Sequence, residues 1–151
     1  MRTIYRDIVG AVIESRDGKI LHGKQAGNVG TYFGCWLIPG GGMDQGETPD
    51  EAIIREILEE TGLDVTCYPR ELLFHDRKAA TEKIIRGTGE KVWYEMHFYD
   101  FKILIPLNAQ EIPVTPSDDL VELLWIDRRE LSNYPLPPPS VELFKKLGYI
   151  T

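Results

Sequence analysis

Cysteine is scarce in this chain: Cys35 and Cys67 are the only two among 151 residues. Two thiols cannot build a disulfide framework, and each reads as a small buried hydrophobe rather than a reactive group. His22, His75 and His97 lack the spacing of a zinc site. No span of about twenty apolar residues is present, nor a cationic apolar leader or a lipidation signal. The expectation is therefore a cytoplasmic protein with no membrane contact. Basic residues are also few, 17 against 24 acidic ones, for a net charge of −7. Affinity for DNA or RNA draws on basic surface, so a nucleic-acid polymer is not expected as the principal partner. A small nucleotide stays open, because metal ions can meet its phosphates. Repeats, low-complexity segments and interdomain linkers are missing too, and residues 1–151 are expected to form one domain.

What is present concentrates between Gly41 and Leu63, in GGMDQGETPDEAIIREILEETGL. Thr48 reads as a helix N-cap, with Pro49 at the first helical position and Glu51 completing a capping box. Gly62 reads as the left-handed stop, so a helix is predicted over about Pro49 to Thr61. On a wheel of roughly 100° per residue, Ile53, Ile54, Ile57 and Leu58 form the core-facing stripe. Glu56, Glu59 and Glu60 gather opposite it, with Ala52 in the same arc. Such carboxylates repel one another, and they stand toward the helix C-terminus, where the macrodipole disfavours anions. A hard divalent cation resolves both penalties, since Mg²⁺ takes oxygen ligands and keeps waters and substrate phosphates around it. A glutamate-rich face is ordinarily just solvated, and these three residues alone do not decide the matter.

The wider pattern does decide it. Gly41, Glu47, Arg55, Glu56, Ile57, Glu59, Glu60, Gly62 and Leu63 stand at the spacing of the Nudix box, and the segment resembles the Nudix (MutT-like) hydrolases at every specified position. The resemblance implies an α/β fold, an α/β/α sandwich with a mixed β-sheet between helices. It also implies hydrolysis of a nucleoside diphosphate linked to another group, with Mg²⁺ as cofactor and Mn²⁺ as a substitute. By position, Glu59 and Glu60 resemble the metal-ligating pair, and the Gly40 carbonyl a further ligand. Glu56 is similar to the residue that either ligates metal or acts as general base. Arg55 resembles the residue that orients a neighbouring glutamate, and Glu47 supports that network. An additional acid often precedes a late Trp-containing strand in this family, which makes Asp119 the first choice here, ahead of Asp118 and Glu122. Nucleoside triphosphates, cleaved to monophosphate and pyrophosphate, are slightly favoured. Nucleotide sugars, dinucleoside polyphosphates and ADP-ribose stay open, as do isoprenoid diphosphate isomerisation and a sensing role. A homodimer is the partner that the family's habits suggest.

Elsewhere, Ile8–Ile13 and Lys19–Gln25 read as a strand hairpin turned by Arg16–Lys19. Gln25 to Gly34 is a glycine-rich loop beside the acidic segment, making Tyr32 and Phe33 candidates for substrate contact. Trp36–Ile38 reads as a short strand and Gly40–Gly42 as a loop that lets backbone approach a ligand. Asp64–Tyr68 and Glu71–His75 read as strands. Asp76–Glu90 reads as a polar hairpin loop, whose Arg77, Lys78, Lys83 and Arg86 could reach substrate phosphates. Lys91–Ile105 is the longest strand candidate, with Tyr94, Met96, Phe98 and Asp100 sharing one face. A strand over Val121–Ile126, a short helix over Asp127–Leu131 and a last helix over Ser140–Leu147 complete the prediction.

Overall fold

The computed structural model describes residues 1–27 and 30–151. Asn28 and Val29, inside the loop read from Gln25 to Gly34, lie outside the described residues. The hydrophobic alternation of the N-terminal segment produces a strand longer than its apolar core, β1 (Thr3–Ser15), followed by β2 (Lys19–Gln25). Gly18, at φ 78°, closes the turn between them, and its N–H donates to Ser15 O at 3.0 Å. The glycine run Gly40–Gly42 is not a loop: it forms the short strand β3, antiparallel to β1 at Ile8–Gly10. Trp36–Ile38, by contrast, contributes a single bridge, Leu37 to Gly23.

The helix α1 (Pro49–Thr61) forms as its caps dictate. Glu51 N–H donates to Thr48 Oγ1 at 3.1 Å and Thr48 N–H donates to Glu51 Oε1 at 3.0 Å. Gly62 adopts φ 72° and donates to Leu58 O at 3.0 Å. Which face is buried differs from the wheel. Ala52, Ile53, Glu56, Ile57, Glu60 and Thr61 are inside, while Leu58 is 48% exposed. The physical reason is β3. Its glycines present no side chains, so the helix settles with the Ala52–Glu56–Glu60 row against the sheet instead of Leu58.

Beyond α1, Asp64–Tyr68 is turn and irregular chain rather than strand. β4 (Glu71–Ile84) then runs through most of the segment expected to be a loop, with irregular pairing between Leu72 and Arg77. β5 (Lys91–Ile105) has the predicted bounds. A short 3₁₀ turn at Ala109–Glu111 leads to β6 (Leu120–Asp127), and Arg128–Asn133 is 3₁₀ helix before α2 (Pro138–Lys146).

The sheet order is β4-β5-β1-β2-β6, with β3 beside β1. β1 and β5 are parallel from Thr3–Trp93 to Ser15–Ile105, and the other pairs are antiparallel, so the sheet is mixed. Alternation along the strands gives the two faces different tasks. Val9, Ala11 and Ile13 of β1 and Phe101, Ile103 and Ile105 of β5 pack on Ile53 and Ile57 of α1. Val12, Ile20 and Ile126 pack on Leu143 and Phe144 of α2 on the opposite face. The result is a mixed sheet between helices, an α/β/α sandwich. Toward the other end of β5, Tyr94, Met96 and Phe98 form a separate cluster on the α2 side with Ile4, Ile8 and Tyr32. No helix among the described residues is long and apolar enough to cross a membrane.

Candidate active site

Arg55 is the hub of the acidic segment. Its Nε and Nη2 donate to the two oxygens of Glu47 at 2.6 and 2.9 Å, a bidentate pair. Its Nη1 donates to Glu56 Oε1 at 3.0 Å and to Glu59 at 3.3 Å, and Nη2 also reaches the Gly42 carbonyl at 3.1 Å. Glu47 accepts further from Asp44 N–H at 2.7 Å. The Arg55 hydrogen bonds, then that backbone N–H, hold the Glu47 carboxyl down at about 2. One guanidinium thus ties three box glutamates and the glycine strand together.

Glu56 and Glu60 sit in a different environment from Glu59. Both are buried, whereas the Glu59 side chain is 44% exposed. Burial raises Glu56 against the opposing pull of Arg55, and the charges of Glu59 and Asp118 add to the rise. Glu60 is pushed up to about 8, chiefly by burial, with the charges of Glu56, Asp118 and Asp119 adding and the Gly40 N–H opposing. That N–H donates to Glu60 Oε1 at 2.8 Å. Glycine is required around these carboxylates. A Cβ on Gly41 would lie 2.8 Å from all three atoms of the Glu56 carboxylate, and one on Gly40 would collide with the Val9 carbonyl.

The chain segment before β6 is tied to the same place. Thr115 N–H donates to Thr61 O at 2.9 Å and Ser117 N–H to Glu60 O at 3.0 Å, pinning the loop to the C-terminal end of α1. Asp118 follows in the left-handed region, φ 57°, an uncommon conformation for a residue with a side chain. Asp118 and Asp119 both line the cavity beside Glu56 and Glu60. Asp118 is felt by both buried glutamates and Asp119 by Glu60 alone, so the residue ranked second from sequence stands in the closer electrostatic relation.

Among the described residues, no three carboxylate, histidine or cysteine side chains converge closely enough to hold a metal ion as they stand. Arg55 draws Glu56 and Glu59 to itself, and the Gly40 N–H holds Glu60. The donor set nevertheless fits a hard divalent cation. It is all oxygen, and the buried carboxylates raise one another's affinity for a positive charge.

A cavity of about 340 Å³ opens from the acidic row across the α2 side of β1 and β5. Tyr32, Tyr94, Met96 and Phe98 give it an aromatic and apolar lining. Two polar groups that sequence reasoning did not nominate stand in it. Asp100 is 2% exposed and receives Arg77 Nε and Nη2 at 2.8 and 2.9 Å, with Arg77 Nη1 donating to Pro139 O at 2.9 Å. Gln25 contributes an Oε1 that is buried without a partner among the described residues. The signal for Asp100 was legible: a carboxylate sharing a strand face with Tyr94, Met96 and Phe98 must be paired. Of the other nominated residues, Phe33 lines an outer, adjoining cavity. Arg77 is committed to Asp100 rather than free in a loop. Lys78 pairs in register with His97 and lines a separate cavity with His75 and Tyr5, on the opposite face from Arg77. The cysteines are not buried as expected: Cys67 is exposed in a turn and Cys35 is half-buried.

A protein-family model described as the NUDIX domain matches residues 4–147, nearly the whole chain. The chain belongs to this family, the Nudix hydrolases. Nucleoside triphosphatase NudI of Enterobacter sp. (strain 638) is 30% identical over 147 residues, spanning 96% of this chain and 98% of that protein. An RNA pyrophosphohydrolase of Hydrogenovibrio crunogenus is 28% identical over 155 residues, 96% of this chain and 84% of that protein. Among solved structures, the E. coli dihydroneopterin triphosphate pyrophosphohydrolase superposes with a TM-score of 0.69 at 16% identity, covering 95% of this chain and 96% of that one. At that identity the likeness speaks to the fold, and it corroborates the sandwich architecture. Nudix hydrolases generally need a divalent metal and act on nucleotide substrates.

Proposed function

We propose that the chain is one Nudix domain over residues 1–151 and acts as a Mg²⁺-dependent nucleoside triphosphate pyrophosphohydrolase. Water adds to a phosphorus of the α–β bridge, one bridging P–O bond breaks, and the products are a nucleoside monophosphate and pyrophosphate. The observation that carries this reading is the junction of an acidic cluster, the buried Glu56 and Glu60 with the exposed Asp118 and Asp119 beside them, with an aromatic-lined cavity. The first suits metal and phosphate; the second suits a nucleobase. Support for the triphosphate comes from NudI, similar over almost its full length and named a nucleoside triphosphatase.

In this reading Glu59, Glu60 and the Gly40 carbonyl hold the cation, with Asp119 or Asp118 contributing from the loop before β6. Glu56 is a further ligand or the base that takes the proton of the attacking water. Bound there, a divalent cation would acidify water and neutralise phosphate oxygens. Arg55 and Glu47 are positioning residues, since they act through the glutamates they hold. Tyr32 contacts the base from the cavity wall and Phe33 from its outer rim.

The test is a hydrolysis screen with Mg²⁺, Mn²⁺ and chelator against nucleoside triphosphates, nucleotide sugars, ADP-ribose, dinucleoside polyphosphates and a 5′-triphosphorylated RNA. Metal-dependent release of pyrophosphate from a free nucleotide is the expected result. Preference for the RNA end would transfer the assignment to the activity for which the Hydrogenovibrio relative is named. Cleavage confined to diphosphate-linked substrates would overturn the triphosphate reading.

A further inference from the structure

Three cations outside the acidic row have no role in the reaction just described. Arg6 on β1, Lys83 near the end of β4 and Arg86 in the turn that follows line one outer cavity of about 890 Å³. That cavity adjoins the aromatic one, and the two share Gln25, Thr31, Lys83, Tyr94 and Asp119. Ile4 and Thr81 flank Tyr94 from either side. Arg6 stands opposite Met96 and Lys83 opposite Val92, on the same face but on either side of Tyr94 along β5, so it is the reach of their long side chains that brings both to one cavity. Lys83 Nζ lies 4.4 Å from the centre of the Tyr94 ring. The Arg6 guanidinium lies over Gly42, where a Cβ would collide with it, so this cation stands beside the strand that carries Gly41 against Glu56.

These cations are not spent on carboxylates. Among the described residues none of the three is in an ion pair, and Glu82, which also lines the cavity, is engaged by Lys91 at 3.2 Å. Asp119 is the other carboxylate there, on the rim shared with the acidic row. Burial lowers the Lys83 ammonium, and the charges of Arg6 and then Arg86 lower it further. Like charges held together in this way repel, and an anion seated among them removes the penalty. In a chain with a net charge of −7, the placement of three unpaired cations beside the metal-binding row is selective.

We propose that Arg6, Lys83 and Arg86 form an anion subsite that receives the outermost phosphate of the substrate. The proposal rests on the pyrophosphohydrolase reading above and narrows it. Beyond the bridge being cleaved a triphosphate carries two phosphates, one more than a nucleotide sugar, and the outer one is the group these cations receive. The uncharged distal sugar of a nucleotide sugar offers these cations nothing.

The experiment is calorimetric titration of the metal-free full chain with inorganic tripolyphosphate and with pyrophosphate at low salt. It compares the wild type, Arg6→Gln, Lys83→Gln, Arg86→Gln, Lys83→Arg and Lys145→Gln, the last removing an equal charge from α2 outside both cavities. Loss of one charge-assisted contact is expected to weaken tripolyphosphate binding about tenfold, with Lys83→Arg recovering most of it and Lys145→Gln unchanged. Arg6 and Arg86 are exposed, so their variants keep the test valid should Lys83→Gln disturb the strand. Binding within twofold of wild type in the Arg6 and Arg86 variants, equal loss in Lys145→Gln, or no binding by the wild type would overturn the subsite. Turnover separates this from the parent reading. A chain that binds tripolyphosphate through these cations but cleaves no nucleoside triphosphate keeps the subsite and loses the proposed activity. One that cleaves triphosphates with KM unmoved in the variants keeps the activity and loses the subsite.

Discussion

Glu60 combines opposing demands in one side chain. It is buried under the glycine strand and surrounded by other carboxylates, so without a cation it holds a proton up to about pH 8. An ordinary glutamate releases its proton near 4.5. Between those values the folded chain binds more protons than the unfolded one, so this residue makes metal-free stability fall as pH rises from about 4.5 to about 8. Glu60→Gln keeps an acceptor for the Gly40 N–H while deleting the charge. The variant is expected to melt higher than wild type at pH 8 in chelator and to lose this part of the pH slope, as thermal scans at pH 5 and 8 would show. With Mg²⁺ its turnover is expected to drop by at least about a hundredfold. Glu59→Gln is expected to lower turnover as well but to leave metal-free melting nearly unmoved, because Glu59 is exposed and already faces Arg55. The helical wheel placed the three glutamates on one face without separating them; burial sets Glu56 and Glu60 apart from Glu59.

At the scale of elements, α1 and β4 show what a local signal can carry. The start and stop of α1 were legible because capping is a local hydrogen-bonding matter, settled within three or four residues. Thr48→Ala removes the acceptor for Glu51 N–H and is expected to cost about 1 kcal/mol in urea denaturation. The rotation of α1 was not legible, since it depends on β3 being bare of side chains. β4 was misread from Asp76 to Ile84 for a different reason. It is an edge strand whose outward residues are polar, and the charges that guard an open edge from further pairing look like a loop in sequence. The cost of that misreading was functional: Arg77 and Lys78 were grouped, although adjacent strand residues point to opposite faces.

Across the whole molecule, Arg77–Asp100 joins parts that are far apart in the chain. The pair links β4 to β5, and its third hydrogen bond reaches the Pro139 carbonyl at the start of α2. Both side chains are 3% exposed, so removing one partner strands a buried charge. Asp100→Ala is expected to destabilise the chain by about 3–5 kcal/mol, whereas the double variant Arg77→Met with Asp100→Leu should recover most of that loss. Paired denaturation curves would decide this. A single variant as stable as wild type would mean that the ion pair contributes only to the shape of the cavity.

By itself the sequence determined the box helix, its caps, the acidic residues along it and the long strand β5, because periodicity, capping and motif spacing are properties of neighbouring residues. It also carried the family, through residues at fixed distances along one segment. Only the tertiary structure decided which glutamates are buried, that Asp118 joins Asp119 near them, and that Arg77 is paired inside while Arg6, Lys83 and Arg86 gather at the rim. Each of those outcomes depends on residues brought together from different strands, and strand register is fixed by the packing of the whole sheet rather than by any single stretch of chain.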